Sequence, residues 1–308
     1  MAYKIPEVPS PQAYKEEMAD FWEIQAILHP GRYVASIHIS RIIATGLDEI
    51  DHEGIESEDD RLDSRLDEVL SELQRRPGFS SGKYPFSFEK YSLKLNEGDS
   101  LNKNIYLFLL LCTRFNMTKN KVHNTIDGTQ LFEELCAEIV INYFGDNSES
   151  FLFGTANPGN FRAKIEELIT KAGEGSAFKN PNNNQPTKND DAVDIVAWKD
   201  FSDKRAGKLM AFGQCKTGTS WQDDIHRLKP GDFCDNWFHD SPILAPLPLV
   251  FICDTLNEDF NFVSRQKGYL FFNRFRILEL VRESLNNEIQ TKIQSWLDSA
   301  ISTIKQNM

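Results

Sequence analysis

Three side chains suited to phosphoryl chemistry fall within one short stretch. Asp194, Gln214 and Lys216 lie in Asp191–Lys216, which reads DAVDIVAWKDFSDKRAGKLMAFGQCK. A hard divalent cation such as Mg²⁺ takes oxygen ligands and keeps several waters, and a carboxylate supplies such an oxygen. A neighbouring ammonium orients or helps deprotonate a water, or stabilises charge on a phosphate oxygen. An amide carbonyl such as that of Gln214 is a weaker ligand than carboxylate, but it is of the same oxygen type.

These residues need a scaffold. The runs VDIVAW and KLMAFGQCK flank a polar loop holding Asp200, Ser202, Asp203 and Gly207, and their Val, Ile, Phe and Trp content predicts a β-hairpin. Alternation places Asp194, Val196 and Trp198 on one face of the first strand, and Phe212, Gln214 and Lys216 on one face of the second. In-register pairing then brings Asp194 beside Gln214 and Lys216. Cys215, the rival nucleophile, falls on the opposite face and reads as a small buried hydrophobe. Upstream, residues 127–145 predict a helix capped by Asp127 or Thr129 and closed by Gly145. Its buried stripe is Phe132, Leu135, Ile139 and Tyr143, with Glu133, Glu134 and Glu138 off that stripe. Asp190 and Asp191 either assist a metal or form the turn into the strand.

Asp194 followed by Gln214-Cys215-Lys216 resembles the PD-(D/E)xK nuclease superfamily, most of all its Mrr-type restriction endonucleases, in which Gln replaces the acidic residue before x-Lys. The text VDIVAW…GQCKTG and the helix text Gly128-Thr-Gln-Leu-Phe132-Glu133-Glu134-Leu135 carry the resemblance, which spans about residues 127–260. It implies a restriction-endonuclease-like α/β core, a central mixed sheet flanked by helices. It implies a Mg²⁺- or Mn²⁺-dependent endonuclease acting on DNA, with Asp194, Glu133 and Gln214 on the metal and Lys216 at the water or phosphate. The family's FExL pattern selects Glu133; Glu134, Glu138 and Asp191 are the remaining carboxylate candidates. Mrr-like cores recur in prokaryotic restriction and anti-phage systems. With no ATPase or methyltransferase motif in the chain, a sensor or motor partner is expected, and a homo-oligomer is compatible. The other function class is a non-catalytic binding or assembly subunit that keeps a degenerate nuclease fold, which Gln214 in place of an acid would suit.

Composition sets the bounds. At 308 residues and with 40% hydrophobic residues, the chain can bury one large core or two smaller ones. Its net charge of −12 argues against a constitutive, tight nucleic-acid binder. No apolar run approaches the length of a membrane span, and the first residues lack an apolar signal region. Cys112, Cys136, Cys215, Cys234 and Cys253 show neither CxxC nor zinc spacing, so reduced thiols and a cytoplasmic location are expected.

The organisation expected is a helical N-terminal region over 1–120, a nuclease core over 121–260, and a C-terminal segment over 261–308 that completes or covers the core. Helices are predicted over 11–28, 36–50, 60–76, 100–116, 157–172 and 286–306. The continuous apolar run at 247–255 predicts a buried strand. Residues 268–283 fit strand or helix, and Lys267, Arg274, Arg276 and Arg282 make that segment a candidate DNA-facing edge. The Gly/Asn/Pro-rich loop 173–190 precedes Asp194, where substrate-touching loops are common.

Overall fold

A computed structural model describes residues 8–10, 13–48, 58–89, 91–98, 100–157, 159–179, 191–256 and 268–307. Helical periodicity in the N-terminal region becomes α1 (Lys15–Leu28), α2 (Ser36–Asp48) and α3 (Glu58–Arg75), with β1 (Tyr33–Ala35) between the first two. The aromatic string at 77–99 forms a hairpin, β2 (Phe86–Glu89) and β3 (Ser92–Leu95), and β1 pairs antiparallel with β3. Next comes α4 (Leu101–Arg114), whose cap Ser100 accepts from Lys103 N at 3.2 Å. A small ribbon, β4 (Val122–His123) and β5 (Ile126–Asp127), leads into α5 (Gly128–Phe144). Asp127 caps α5 by accepting from Thr129 N, and Gly145 ends it at φ +78°, in the left-handed half of the map that favours glycine.

The central sheet has five strands: β6 (Ser148–Leu152), β7 (Ile195–Lys199), β8 (Leu209–Lys216), β9 (Leu247–Ile252) and β10 (Leu270–Phe272). Their order is β10-β9-β8-β7-β6; β6–β7 and β7–β8 are antiparallel, whereas β8–β9 and β9–β10 are parallel. The sheet is therefore mixed, and the fold is α/β. Helix α6 (Phe161–Ala172) connects β6 to β7, and α7 (Trp221–Asp224) and α8 (Pro230–Trp237) connect β8 to β9. The ambiguous segment after residue 268 is both predicted things in turn, β10 and then α9 (Arg274–Leu280). The chain ends in α10 (Asn287–Asn307).

Both sheet faces are covered, which is why its central strands read as continuous apolar runs. Ile195, Ala197, Ala211, Leu249 and Phe251 pack with α1, α4, α5 and α10 in one apolar cluster. Val196, Trp198, Met210, Phe212, Val250 and Ile252 pack with α6 and α8 in a second. The first cluster runs from Met18 to Ile304, so the N-terminal helices share one core with the sheet and the last helix.

A buried ion network ties the same parts together. Arg274 donates to both oxygens of Asp20, each at 2.8 Å, and Arg76 reaches Asp20 at 2.8 Å and Glu23 at 2.6 Å. Arg114 adds a third guanidinium to Asp20 at 3.0 Å, while Tyr84 and Tyr106 donate to Glu23. Burial alone would raise the Asp20 carboxyl, but the arginines, led by Arg274, hold it well below the usual carboxylate range. Glu23, with fewer cations, is pushed up by burial.

This network corrects the expectation of a basic DNA-facing edge at one position, Arg274. Arg274 is fully buried on Asp20, Arg276 donates to Phe271 O at 2.8 Å, and Arg282 donates to Asn142 O at 3.1 Å. Arg274 and Arg282 tie the C-terminal segment to the body of the protein, whereas the exposed Arg276 bonds within its own segment. Lys267, most of the loop 173–190 with Asp190, and the start of the acidic stretch after residue 50 lie outside the described residues.

Candidate functional site

The β7–β8 hairpin forms in the expected register. Ile195 pairs with Gly213, Asp194 N donates to Gly213 O at 2.8 Å, and one step further the register sets Asp194 opposite Gln214. The Asp194 side chain reaches across the strand end, where its Oδ2 accepts from Cys215 N at 2.7 Å. Lys216 ends β8 one residue later, on the same strand face as Gln214. In open α/β sheets ligands bind beyond the carboxyl ends of the parallel strands. Lys216, Ile252 and Phe272 mark those ends here.

Glu133 is brought to this hairpin by α5 and by the turn after β6. It is buried, its Oε1 accepting from Thr155 Oγ1 and its Oε2 from Ala156 N, both at 2.8 Å. The same turn docks on Asp194: Phe153 N and Gly154 N donate to Asp194 O at 2.7 and 2.9 Å. Gly154 lies between the two carboxylates. A Cβ there would stand 2.7 Å from Asp194 Oδ1 and 2.7 Å from Glu133 Oε2. The two oxygens are thus no more than twice that distance apart.

The other carboxylate candidates are placed elsewhere. Glu134, the next residue on α5, pairs with Lys292 of α10 at 3.0 Å. Glu138 is half-buried along α5, in a groove with Ser150 and Leu152, and burial raises its carboxyl. Asp191, at φ +46°, accepts from Trp237 Nε1 at 2.8 Å, which makes it a turn anchor. The helix also departs from the expected stripe: Tyr143 is exposed and Glu133 is buried. Of the basic residues on α6, Lys164 is buried and donates to Phe153 O at 2.8 Å and Gly154 O at 3.1 Å, bracing the glycine turn from behind.

Among the described residues, no three His, Cys, Asp or Glu side chains converge as a metal cluster. Two carboxylates meet here, and the amide of Gln214 stands opposite Asp194 in the strand register. Gln214 is buried, and its Oε1 has no hydrogen-bond partner, an orphaned acceptor of the kind that a cation would satisfy. The donor chemistry fits Mg²⁺ or Mn²⁺, which prefer oxygen. Cys215 does not read as a nucleophile. Burial pushes its thiol well above the ordinary value and that of its hydrogen-bonded neighbour Cys136 to about 11, with the Glu133 and Asp194 carboxylates adding to both. Trp221 is buried, donating to Asp254 at 3.1 Å, and His226 is exposed.

Sequence reasoning missed Gly154 and the turn Phe153–Asn157. The only local signal is a glycine at the junction of an apolar run, SFLF, and a polar one, TAN. Compared with protein families, curated proteins and solved structures, the chain matches none.

Proposed function

We propose that this chain is a Mg²⁺- or Mn²⁺-dependent hydrolase of DNA phosphodiester bonds, built on a PD-(D/E)xK-type core. The meeting of Glu133 and Asp194 around Gly154, at the end of the hairpin that carries Gln214 and Lys216, carries this reading. The helix bearing Glu133 precedes the strands, as the resemblance implies. Asp194, Glu133 and Gln214 would hold the cation, which when bound supplies positive charge beside the phosphoryl oxygens. Thr155 and Ala156 fix the orientation of Glu133, and Cys215 N fixes that of Asp194. The Lys216 ammonium orients water for in-line attack opposite the leaving 3′ oxygen, or steadies the phosphate. By the same resemblance the chain is an effector of a prokaryotic restriction or anti-phage system, acting with a sensor or motor partner.

The second reading is a non-catalytic assembly subunit with a degenerate nuclease fold. It draws on the hydrogen bonds that already occupy Glu133 and Asp194, and on Gln214 in place of an acid. Cleavage of plasmid and linear DNA with Mg²⁺ or Mn²⁺ separates the two, comparing wild type with Asp194→Ala, Glu133→Ala and Lys216→Ala. The nuclease reading expects cleavage by wild type and a loss of at least about a hundredfold in each variant. No cleavage by folded wild type, alone or with its partner, favours the assembly subunit. Cleavage that survives all three substitutions rejects this site.

A further inference from the structure

A cavity of about 750 Å³ borders this strand end. It begins where β8 stops: Thr217 and Gly218 follow Lys216 directly, and Thr129 lies one turn before Glu133 on α5. The rest of its wall comes from residues 8–10, from α1 with its carboxylate Glu17, and from the end of α4 with the turn after it.

The lining is rich in neutral donors. The hydroxyls of Thr118, Thr217, Thr219 and Ser220 make no hydrogen bond within the described residues. Asn116 uses its side-chain oxygen for Thr118 N and Lys119 N, at 3.2 and 3.3 Å, which turns its NH₂ donors away from that backbone. Thr129 differs, since its hydroxyl is held by Asp127 at 2.6 Å. Gly218, at φ +80°, turns the chain out of the strand, and a Cβ there would meet nothing within 4 Å. Arg114 is the one cationic side chain in the described wall, and it is neutralised by Glu17 and Asp20, each at 3.0 Å. Hydroxyls and amides donate to phosphate oxygens without carrying charge. Such a surface suits a chain with a net charge of −12.

We propose that this cleft seats the sugar–phosphate backbone of the DNA beside the cut bond, gripping it through Asn116, Thr118, Thr217, Thr219 and Ser220 instead of lysine and arginine. The proposal rests on the nuclease reading above and adds how the substrate is held. Its physical consequence is a shallow salt dependence. Each phosphate neutralised by Lys or Arg contributes about −0.9 to the slope of log K against log salt on duplex DNA, whereas a hydroxyl contact releases no counterion. A slope no steeper than about −2 is expected, where a basic groove with several phosphate contacts gives about −6 or beyond.

The experiment uses the full chain and two probes, a fluorescein-labelled duplex oligonucleotide and one of its strands alone, read by anisotropy across a salt series. The same preparations are assayed for plasmid cleavage, with the Thr217→Val/Thr219→Val double variant and Asn116→Ala beside wild type. Expected are the shallow slope, a roughly tenfold rise in Kd and KM in each variant, and kcat within about twofold. Thr217→Ser in place of valine should restore KM, and melting curves matching wild type exclude misfolding. The probe that responds to the substitutions identifies the form of DNA held. A steep slope, or Kd and KM unmoved in variants that still cleave, overturns the cleft while leaving the nuclease reading intact. Salt-insensitive binding that the variants weaken, without cleavage by wild type, sustains the cleft and sinks the nuclease. Absence of both binding and cleavage overturns the two together.

Discussion

Gly154 has no room for a side chain. A Cβ there would press on Asp194 Oδ1 and Glu133 Oε2, and would also stand 3.1 Å from the Asp194 backbone, which cannot swing aside. Gly154→Ala should therefore leave the fold standing and spread the two carboxylates. Cleavage is expected to fall by about a hundredfold, the usual penalty for a misplacement of about 1 Å at a catalytic centre, with an unchanged circular dichroism spectrum. Wild-type activity in Gly154→Ala would mean that the two oxygens do not act together. The neighbouring glutamates supply the control. Glu133→Gln should abolish cleavage, whereas Glu134→Gln should leave cleavage untouched and lower stability by no more than about 1 kcal/mol, through loss of the partly exposed pair with Lys292. Asp194 and Glu133 were both legible in the sequence, the first from its strand and the second from the FExL likeness. Gly154 was not, because its meaning comes from three segments that are distant in the chain.

At the scale of elements, the β7–β8 hairpin was the most legible feature, since both strands are apolar on each face and the loop between them is polar. That loop has its own anchor. Asp200 is buried at the end of β7, holding Lys204 and Lys208, the latter at 2.9 Å, and Lys208 also donates to Ala172 O at 2.7 Å. Those two lysines lower the Asp200 carboxyl from 3.8 to about 2. A carboxyl depressed on folding contributes stability that is fully present above its unfolded value and is lost as pH falls through the folded one. Asp200→Asn should thus destabilise the protein near neutrality and flatten the acid limb of its stability curve between pH 3.8 and about 2. Urea melts across that range test this, and parallel limbs in the two proteins would remove Asp200 from the account. Arg274, read as part of a basic edge, was misread for a related reason. Sequence shows the charge of Arg274, but not that its partner is Asp20. A cation far in sequence from its acid reads as available, and only the fold pairs them.

At the scale of the whole molecule, the expected boundary near residue 120 cuts through one continuous core. The face of the sheet bearing Ile195, Ala211 and Phe251 packs under α5, and α4 and α1 belong to the same cluster. Helical periodicity marks each of these helices but cannot say which surface covers which, so the sequence names a helical N-terminal region without showing that it shares the core of the sheet. Arg274 sharpens the point, because it is fully buried and its carboxylate partner Asp20 lies at the other end of the chain. Breaking a buried pair from one side leaves an uncompensated charge, at a cost of about 3–5 kcal/mol. Arg274→Met should lose about that much, measured by denaturant unfolding, and Asp20→Asn should lose a comparable amount. A fragment beginning at residue 121 goes further. It would expose the part of the shared apolar cluster that residues 1–120 cover and strip Arg274 of Asp20, Thr113 and Tyr106. Such a fragment should show no cooperative thermal transition and little dispersion in its amide NMR spectrum, although it retains Glu133, Asp194, Gln214 and Lys216. A cooperatively melting, well-dispersed 121–308 fragment would show instead that the nuclease-like unit folds alone, with the N-terminal helices an accessory that its stability does not require.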